Sequence, residues 1–496
     1  MTRPDLSYRA ATRMIPRMAS SLQHTPADRH YGAQITAVEP GGAEGIALAE
    51  RHGKPVQLLW TWTSPNMEFA TIFVGVISVL FFGLTFWQAM AAIVLGSALG
   101  SVSHAVLSSW GPSTGFCQMV LSRRAFGFLG NVLPAGLNSL TAGIGWFAVN
   151  SVSGALALSA LTTIPGWLAL VIVVVFMLAI AYFGHNLIHA FERYAFPVLT
   201  VVFLIGAVVI LAKSHPGLGP LVAKPGASPT PGGFWIALGA TFGYAAGWNP
   251  YASDYTRYLS PGTGRAAGVF AGLGVFVSCV LLEAVGAGAV TAIGGAAWNY
   301  DNPVASYTSL LPTWLAKLTL LGICLGAIAA NALNVYSSAL SFTAMGIKLP
   351  TRRSRAVVAL VMGAAGFVIA LIGLRNIASY ENFLLVIAYW IGPWLGIVFA
   401  DRLLRRSEDH EMVYIDEKYR NWAGPIAMLV AGILSIWLFS NQTKYVGLVP
   451  KQLPGVGDLT FEVGFVLAVA LYAALYRRLA GAIGTGAAGT SFSRSN

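Results

Sequence analysis

Long apolar runs recur along most of the chain, and polar residues gather in the short gaps between them. A bilayer core needs about 20 mostly apolar residues per helix. At that length the pattern predicts an all-α integral membrane fold of twelve transmembrane helices. They fall at about 57–84, 86–107, 131–157, 165–184, 193–213, 234–259, 264–293, 313–346, 355–375, 379–403, 422–440 and 459–478. Residues 1–55 read as a polar cytoplasmic N-terminal segment, and 479–496 as a cytoplasmic tail rich in small residues.

Two of the runs are interrupted. The first holds Trp60-Thr-Trp-Thr-Ser64-Pro65-Asn66-Met-Glu68, and the sixth holds Gly243-Tyr-Ala-Ala-Gly247-Trp248-Asn249-Pro250-Tyr-Ala-Ser-Asp254. Proline removes a backbone donor and clashes with the preceding turn, so each stretch is expected to kink or unwind its helix. A proline kink packed inside a bundle explains either one alone. Their separation by five helices points further, to a five-plus-five inverted repeat with helices 1–5 in 56–213 and helices 6–10 in 234–403. Helices 11 and 12, in 422–478, follow it. Interrupted segments at matching places in two halves mark the binding site of a transporter. Unwound backbone is tolerated in a membrane only where protein or a water-filled cavity satisfies it. Gly239, Gly243 and Gly247, like Gly96 and Gly100, recur every four residues, a spacing that lets helices approach closely.

Composition supports the membrane reading. Apolar residues make up 56% of the 496 and charged residues 10%, against about 25% charged in an ordinary globular protein. The net charge of +11 does not indicate nucleic acid, because the basic residues sit between apolar runs and at the termini. With the N-terminus in the cytoplasm, all but six of the 30 Lys and Arg (Lys213, Lys224, Lys317, Arg375, Lys444 and Lys451) fall on the cytoplasmic side, as the positive-inside rule requires. That side then carries Arg123–Arg124, Lys348/Arg352/Arg353/Arg355, Arg402/Arg405/Arg406 and Arg477–Arg478. An even helix count leaves both termini cytoplasmic in a multi-pass protein of the cell membrane. Four arginines and no apolar stretch in the first 20 residues argue against a cleavable signal peptide. Cys117, Cys279 and Cys324 lie far apart without metal-ligand spacing and read as small buried groups. No nucleophile–base pattern or metal cluster suggests an enzyme, and no cofactor is expected.

Polar groups inside a membrane segment are costly and call for a structural or functional explanation. The interruptions supply Ser64, Asn66, Trp248 and Asn249. The third run supplies Trp146 and Asn150, one helical turn apart and so on one face, and the eighth supplies Asn331, Asn334 and Tyr336-Ser-Ser338. The carboxylates are Glu68, Glu192, Asp254 and Glu283. Aromatic faces stack on a base for roughly 1–3 kcal/mol each, and a carboxamide sets a donor and an acceptor side by side. Trp with Asn therefore suits a flat heterocycle, although any one of them alone more often fills space or joins two helices. Asp254 precedes Arg257 by about one turn, and Glu192 adjoins Arg193, so either carboxylate is also explained by an ion pair.

Gly247-Trp-Asn-Pro-Tyr-Ala-Ser-Asp-Tyr-Thr-Arg-Tyr258 resembles the signature of the purine–cytosine permease branch of the nucleobase:cation symporter-1 family. So do Gly111-Pro112 with Gln118-Met119-Val120-Leu121-Ser122-Arg123, Gly145-Trp-Phe-Ala-Val-Asn150-Ser, His189-Ala-Phe-Glu192-Arg-Tyr194, Asn334-Val-Tyr-Ser-Ser-Ala-Leu-Ser341, and Asn382-Phe-Leu with Tyr389-Trp-Ile-Gly-Pro-Trp394. The resemblance implies a LeuT-like fold with broken helices 1 and 6 and a base held at mid-membrane between helices 1, 3, 6 and 8. By motif position it places Trp146 and Trp248 on the two faces of the ring, and Asn150, Asn334 and Ser64 on its edge. It also places the motif carboxylate, implicated in transport, on Glu192. Sodium-coupled relatives carry hydroxyls just before the motif asparagine, whereas this chain has Ile328-Ala-Ala-Asn331-Ala-Leu333.

These readings lead to a proton-coupled importer of a nucleobase, cytosine or a purine, with Glu192, Glu68 and Glu283 as candidate proton carriers. A sodium-coupled carrier of a hydantoin, uracil, allantoin or a vitamin is the alternative within the fold. An uncoupled facilitator or channel is the alternative of another class. Membrane lipid is the surrounding partner, and a monomer suffices for such a carrier.

Overall fold

A computed structural model of the chain describes residues 35, 38–39, 42–221, 228–299, 302–347, 354–373, 379–405 and 412–487. Residues 1–34, Lys224, Lys348, Arg352, Arg353, Arg375, Arg406 and the tail from 488 onward lie outside them. The described residues contain helices and two isolated β-bridges, with no strand. The first apolar run forms α1 (Gln57–Thr63), a 3-10 turn (Ser64–Asn66) and α2 (Phe69–Leu80), bent by 58°. Then come α3 (Phe86–Ser108), α4 (Val132–Thr162), α5 (Gly166–Phe183) and α6 (His185–Lys213). α7 (Gly233–Ala246), a 3-10 turn (Asn249–Tyr251) and α8 (Ala252–Thr256) lead into α9 (Gly264–Ile293) and α10 (Thr313–Ala344). The last four are α11 (Ser354–Gly373), α12 (Ser379–Leu404), α13 (Ala423–Phe439) and α14 (Thr460–Ala487).

Among the described residues nine helices are long and apolar enough to cross a bilayer, and the bent α1–α2 pair makes up to ten. α13 is apolar but shorter. Outward-facing Val102, Val208, Val361 and Ile433 are each more than 60% exposed, the outer surface expected of a multi-pass protein solvated by lipid. Local signals set the helix ends. Thr85 caps α3 by accepting from the Gln88 amide while Gln88 Oε1 accepts from Thr85 N–H, a reciprocal capping box. Gly184, at φ +94°, makes the sharp corner between α5 and α6 that a side chain would strain.

α6 begins at His185 rather than near 193. Residues 185–192 include His185, Asn186, His189 and Glu192 and so fall outside the apolar run, but His185, Asn186 and Glu192 point into protein and are buried. Polar groups at a helix end do not mark a loop when other helices surround them.

Two packed bodies emerge. α9 runs along α1, α2 and α3, and α7 along α3. α10 runs along α4, α5 and α11, and this second body has its own apolar cluster that includes Phe147, Leu170, Val173, Met177, Val335 and Val358. α12, α13 and α14 pack on one another beside them. The first body is held by backbone contact. A Cβ on Gly75 would lie 1.7 Å from the Glu283 carbonyl oxygen, and one on Gly286 1.8 Å from that of Ile72. On α3, a Cβ at Gly96 would meet Thr241 Oγ1 at 2.0 Å, so this glycine serves close packing.

Gly75→Ala should therefore destabilise the protein by about 1–3 kcal/mol through overpacking, despite the better helix propensity of alanine. Gly432→Ala, where nothing lies within 4 Å of the new methyl, should be neutral or stabilising. Thermal unfolding in detergent checks the pair, and equal midpoints would contradict the close α2–α9 contact.

Candidate functional site

The two interruptions meet at the centre of the bundle. Ser64-Pro65-Asn66 forms a 3-10 turn, and Asn66 turns its carboxamide into the protein. Asn66 Nδ2 donates to the Trp62 carbonyl (2.8 Å) and to Ser278 Oγ on α9 (3.0 Å). Its Oδ1 accepts from Trp248 Nε1 at 2.9 Å. One side chain thus satisfies backbone freed by the first interruption and fixes the tryptophan of the second. Thr71 Oγ1 donates to the Asn66 carbonyl at 2.5 Å and lies 2.5 Å from Tyr244 OH. Asn249 Nδ2 donates to Ser103 Oγ of α3 at 2.6 Å.

Trp146 ends a π-helical stretch, Thr141–Trp146, within α4. Such stretches are frequent at functional sites because they re-aim a side chain. The Trp146 ring stands edge-on to Tyr244 (5.5 Å), Phe383 (5.1 Å) and Tyr380 (6.4 Å). Trp146, Asn150, Tyr244, Gly247, Trp248 and Asn334 line one small cavity. Trp146 is 7% exposed, Trp248 6%, Asn150 3% and Asn334 1%, so the cavity is closed to bulk water.

The carboxamides are oriented by a chain of hydrogen bonds. Asn331 Nδ2 donates to the Phe147 carbonyl at 2.8 Å, which can only accept. Asn331 Oδ1 must then accept, and it receives Nδ2 of Asn150 and Nδ2 of Asn334, each at 3.2 Å. The carboxamide oxygens of Asn150 and Asn334 are left without a hydrogen bond from the protein, as acceptors at the cavity.

Ser64 stands apart from this group. Its hydroxyl donates to the Trp60 carbonyl one turn back (3.0 Å), and it does not line the cavity. The carboxylates also separate. Glu68 occupies the N-cap position of α2, is fully buried, and accepts from Ser153 Oγ (3.1 Å) and, at 3.5 Å, from Tyr244 OH, which belongs to a cavity wall. Glu192 and Glu283 are fully buried, and none of their carboxylate oxygens has a hydrogen-bond partner. The two ion pairs weighed from sequence do not form. Asp254 accepts the Gln118 amide (2.8 Å), and Arg257 pairs with Glu39 instead (3.0 Å). Arg193 makes no bridge to its neighbour Glu192. A side chain directs such a contact only if the intervening turn aims both ends at each other, and spacing alone did not reveal that.

Beyond Trp62 the protein opens again. Trp62 is fully buried, 5.8 Å from the Trp248 ring and 5.3 Å from that of Tyr255. Tyr255 belongs to a larger cavity, about 310 Å³, lined also by His52, Gln57, His185, His189 and Tyr258. His185 stacks on Tyr258 at 3.9 Å. Trp62 therefore separates this vestibule from the central cavity. Tyr244, His52 and His185 were not picked out from sequence, and His189 entered only as part of a motif. Tyr244 lies within the quoted sixth-run stretch, and its polar aromatic character was the available signal. Among the described residues no cluster of His, Cys, Asp and Glu forms a metal site.

A family model described as permease for cytosine/purines, uracil, thiamine, allantoin matches residues 46–464. The putative purine-cytosine permease YxlA of Bacillus subtilis is 28% identical over 452 residues, covering 89% of this chain and 96% of its own length. The purine-cytosine permease fcyB of Emericella nidulans is also 28% identical, covering 88% of each. Among solved structures, Mhp1, a nucleobase-cation-symport-1 family transporter in a closed conformation with bromovinylhydantoin bound, superposes with a TM-score of 0.70 at 20% identity. That match covers 90% of this chain and 96% of Mhp1. The fold is thus that of Mhp1.

Asn331→Ala should leave the Phe147 carbonyl and two carboxamides short of a partner, at a cost of about 1–3 kcal/mol. A lowered unfolding midpoint in detergent is expected. An unchanged midpoint would contradict the bridging role.

Proposed function

Because the chain belongs to the family of permeases for cytosine/purines, uracil, thiamine and allantoin, we propose that it is a secondary active importer of a nucleobase, cytosine or a purine, working by alternating access and proton symport. The observation that carries this reading is the central cavity. It gathers Trp146, Asn150, Trp248 and Asn334 from three separate segments of the chain around one small closed space. The two tryptophans supply faces for a planar ring, each worth roughly 1–3 kcal/mol. The free oxygens of Asn150 and Asn334 suit the N–H groups along the edge of an amino-substituted base.

The fold reading is a LeuT-like arrangement of twelve spans in a five-plus-five inverted repeat, 56–213 against 234–403, with 422–478 appended. The bent α1–α2 pair and the short α7 and α8 then count as the first and sixth spans, and α13 as the eleventh. The distribution of Lys and Arg supports cytoplasmic termini in the cell membrane. On that orientation the vestibule faces the cytoplasm.

Two features favour protons. The stretch before Asn334 offers no hydroxyl for a sodium ion, and several carboxylates are fully buried. A bare carboxylate near the bilayer centre costs at least ~2.5 kcal/mol on insertion scales, so one retained there is expected to bind a proton or a cation. Glu192 and Glu283 are bare in this sense, while Glu68 touches a cavity wall through Tyr244. Sodium coupling is the second reading: Mhp1 is named a nucleobase-cation-symport-1 family transporter, and either ion is a cation.

Trp248→Ala should weaken base binding to purified protein by about 5- to 150-fold, the range of one lost stacking face, with folding preserved. Asn334→Ala should lose affinity for bases that present N–H groups and little for analogues that lack them. Near-normal affinity in both variants would remove the cavity from the site. Uptake should run faster at about pH 5.5 than at about pH 8, stop accumulating with a protonophore, and ignore replacement of sodium by choline. Glu192→Gln should stop accumulation while base still binds. Base affinity that rises with sodium concentration would overturn the proton assignment.

A further inference from the structure

Glu39 precedes the first helix and lies outside the family match, which begins at residue 46. It is nonetheless 3% exposed and lies among more ionic and hydroxyl partners than any carboxylate of the central site. Oε1 accepts from Arg257 Nη2 (3.0 Å), from Tyr336 OH (3.1 Å) and from Tyr258 OH. Oε2 accepts the His185 amide (3.2 Å) and lies 3.7 Å from Arg355 Nε. The Glu39 amide donates to the Phe183 carbonyl (3.0 Å), and Arg257 Nη1 returns to the Gly42 carbonyl (3.0 Å). A methyl on Gly184 would come within 2.6 Å of Oε2, so the glycine corner leaves room for the carboxylate.

The partners belong to different bodies. Arg257 and Tyr258 follow α8 directly, beside α3 and α9. Tyr336 is on α10, Arg355 on α11, and Phe183 and His185 flank the corner between α5 and α6. One buried charge therefore ties the α8 end of the first body to α10 and α11 of the second. Tyr258 and His185 also line the vestibule, so the tie stands at its rim. Two arginines facing one carboxylate in protein leave a large cost if that carboxylate is removed. Opening a path from the vestibule to the central cavity requires α1 and α8 to part from α10, and the tie crosses that seam.

We infer that Glu39 is the latch of the inner gate: its hydrogen bonds to Arg257 and Tyr336 and its ion pair with Arg355 hold the vestibule side shut, and they must break for substrate to leave inward. The inference rests on the transport reading and on the orientation proposed above. It gives Glu39 a role in gating rather than in binding.

The test uses a cysteine introduced by Ser337→Cys, a fully buried position on α10 next to Tyr336 and about one turn past Asn334. The three natural cysteines are buried. Labelling by a membrane-impermeant maleimide is followed in right-side-out and inside-out vesicles of the full chain, with and without Glu39→Gln. The expected result is at least tenfold faster labelling from the cytoplasmic face in the Glu39→Gln protein, with base affinity in detergent within about threefold of the parent. A rate within twofold of the parent from both faces would overturn the latch and leave the transport reading intact. Acceleration confined to the outer face would overturn it through its orientation. If Glu39→Gln does not give folded protein, Tyr336→Phe, which removes one hydroxyl donor, takes its place with a smaller acceleration of the same sign expected.

Discussion

Backbone polar groups have no water to turn to inside a bilayer, so a helix can stop there only where protein or an enclosed cavity takes them up. The centre of this protein is organised by that constraint. α1 stops at Thr63 and α7 at Ala246, and Asn66 serves both stops. It bonds the Trp62 carbonyl on its own segment and the Trp248 indole on the other. Thr71, Ser278 and Ser103 supply the hydroxyls that complete the local network. Because each interruption is satisfied by neighbours, the stretches hold defined positions, and the side chains that project from them can form a rigid wall.

The same economy of polar groups governs the second wall. α4 and α10 belong to the body that packs on α5 and α11, and they face the interruptions with Trp146, Asn150 and Asn334. Asn331 spends its amide on the Phe147 carbonyl and its oxygen on the two other asparagines. What remains unsatisfied is directed at the cavity, which is where a ligand can supply the missing donors. A site built between two bodies also has a natural way to open. Each body keeps its own packing, with backbone-close contact between α2 and α9 in one and an apolar cluster in the other, while the seam between them carries Trp62, Tyr255 and the Glu39 contacts.

The membrane class was legible because apolar runs need only length to be recognised. Trp146 and Asn150 were legible as a pair because one helical turn puts them on one face whatever else the chain does. Asn334 and Trp248 stood out as polar groups inside apolar runs and drew their roles from motif resemblance, and the structure brings them to the same cavity. Long-range choices were not legible. Ser64 had a hydroxyl near an interruption, but a carbonyl one turn back competes for it and takes it. Arg257 had Asp254 about one turn away and pairs with Glu39, which lies far off in sequence. Helix α6 started early because its polar first turns face protein, which no local pattern records. Glu39 itself sits in a segment without apolar periodicity, and only the folded chain shows what surrounds it.

The central claim is that a planar base is held between Trp146 and Trp248 with its edge at Asn150 and Asn334. A structure of the purified protein with adenine or cytosine bound tests it most directly. The account predicts the ring between the two indoles, N–H groups within hydrogen-bond distance of the Asn150 and Asn334 carboxamide oxygens, and Trp248 Nε1 still on Asn66. A base found instead in the vestibule among His52, His185 and His189, touching neither tryptophan, would contradict it.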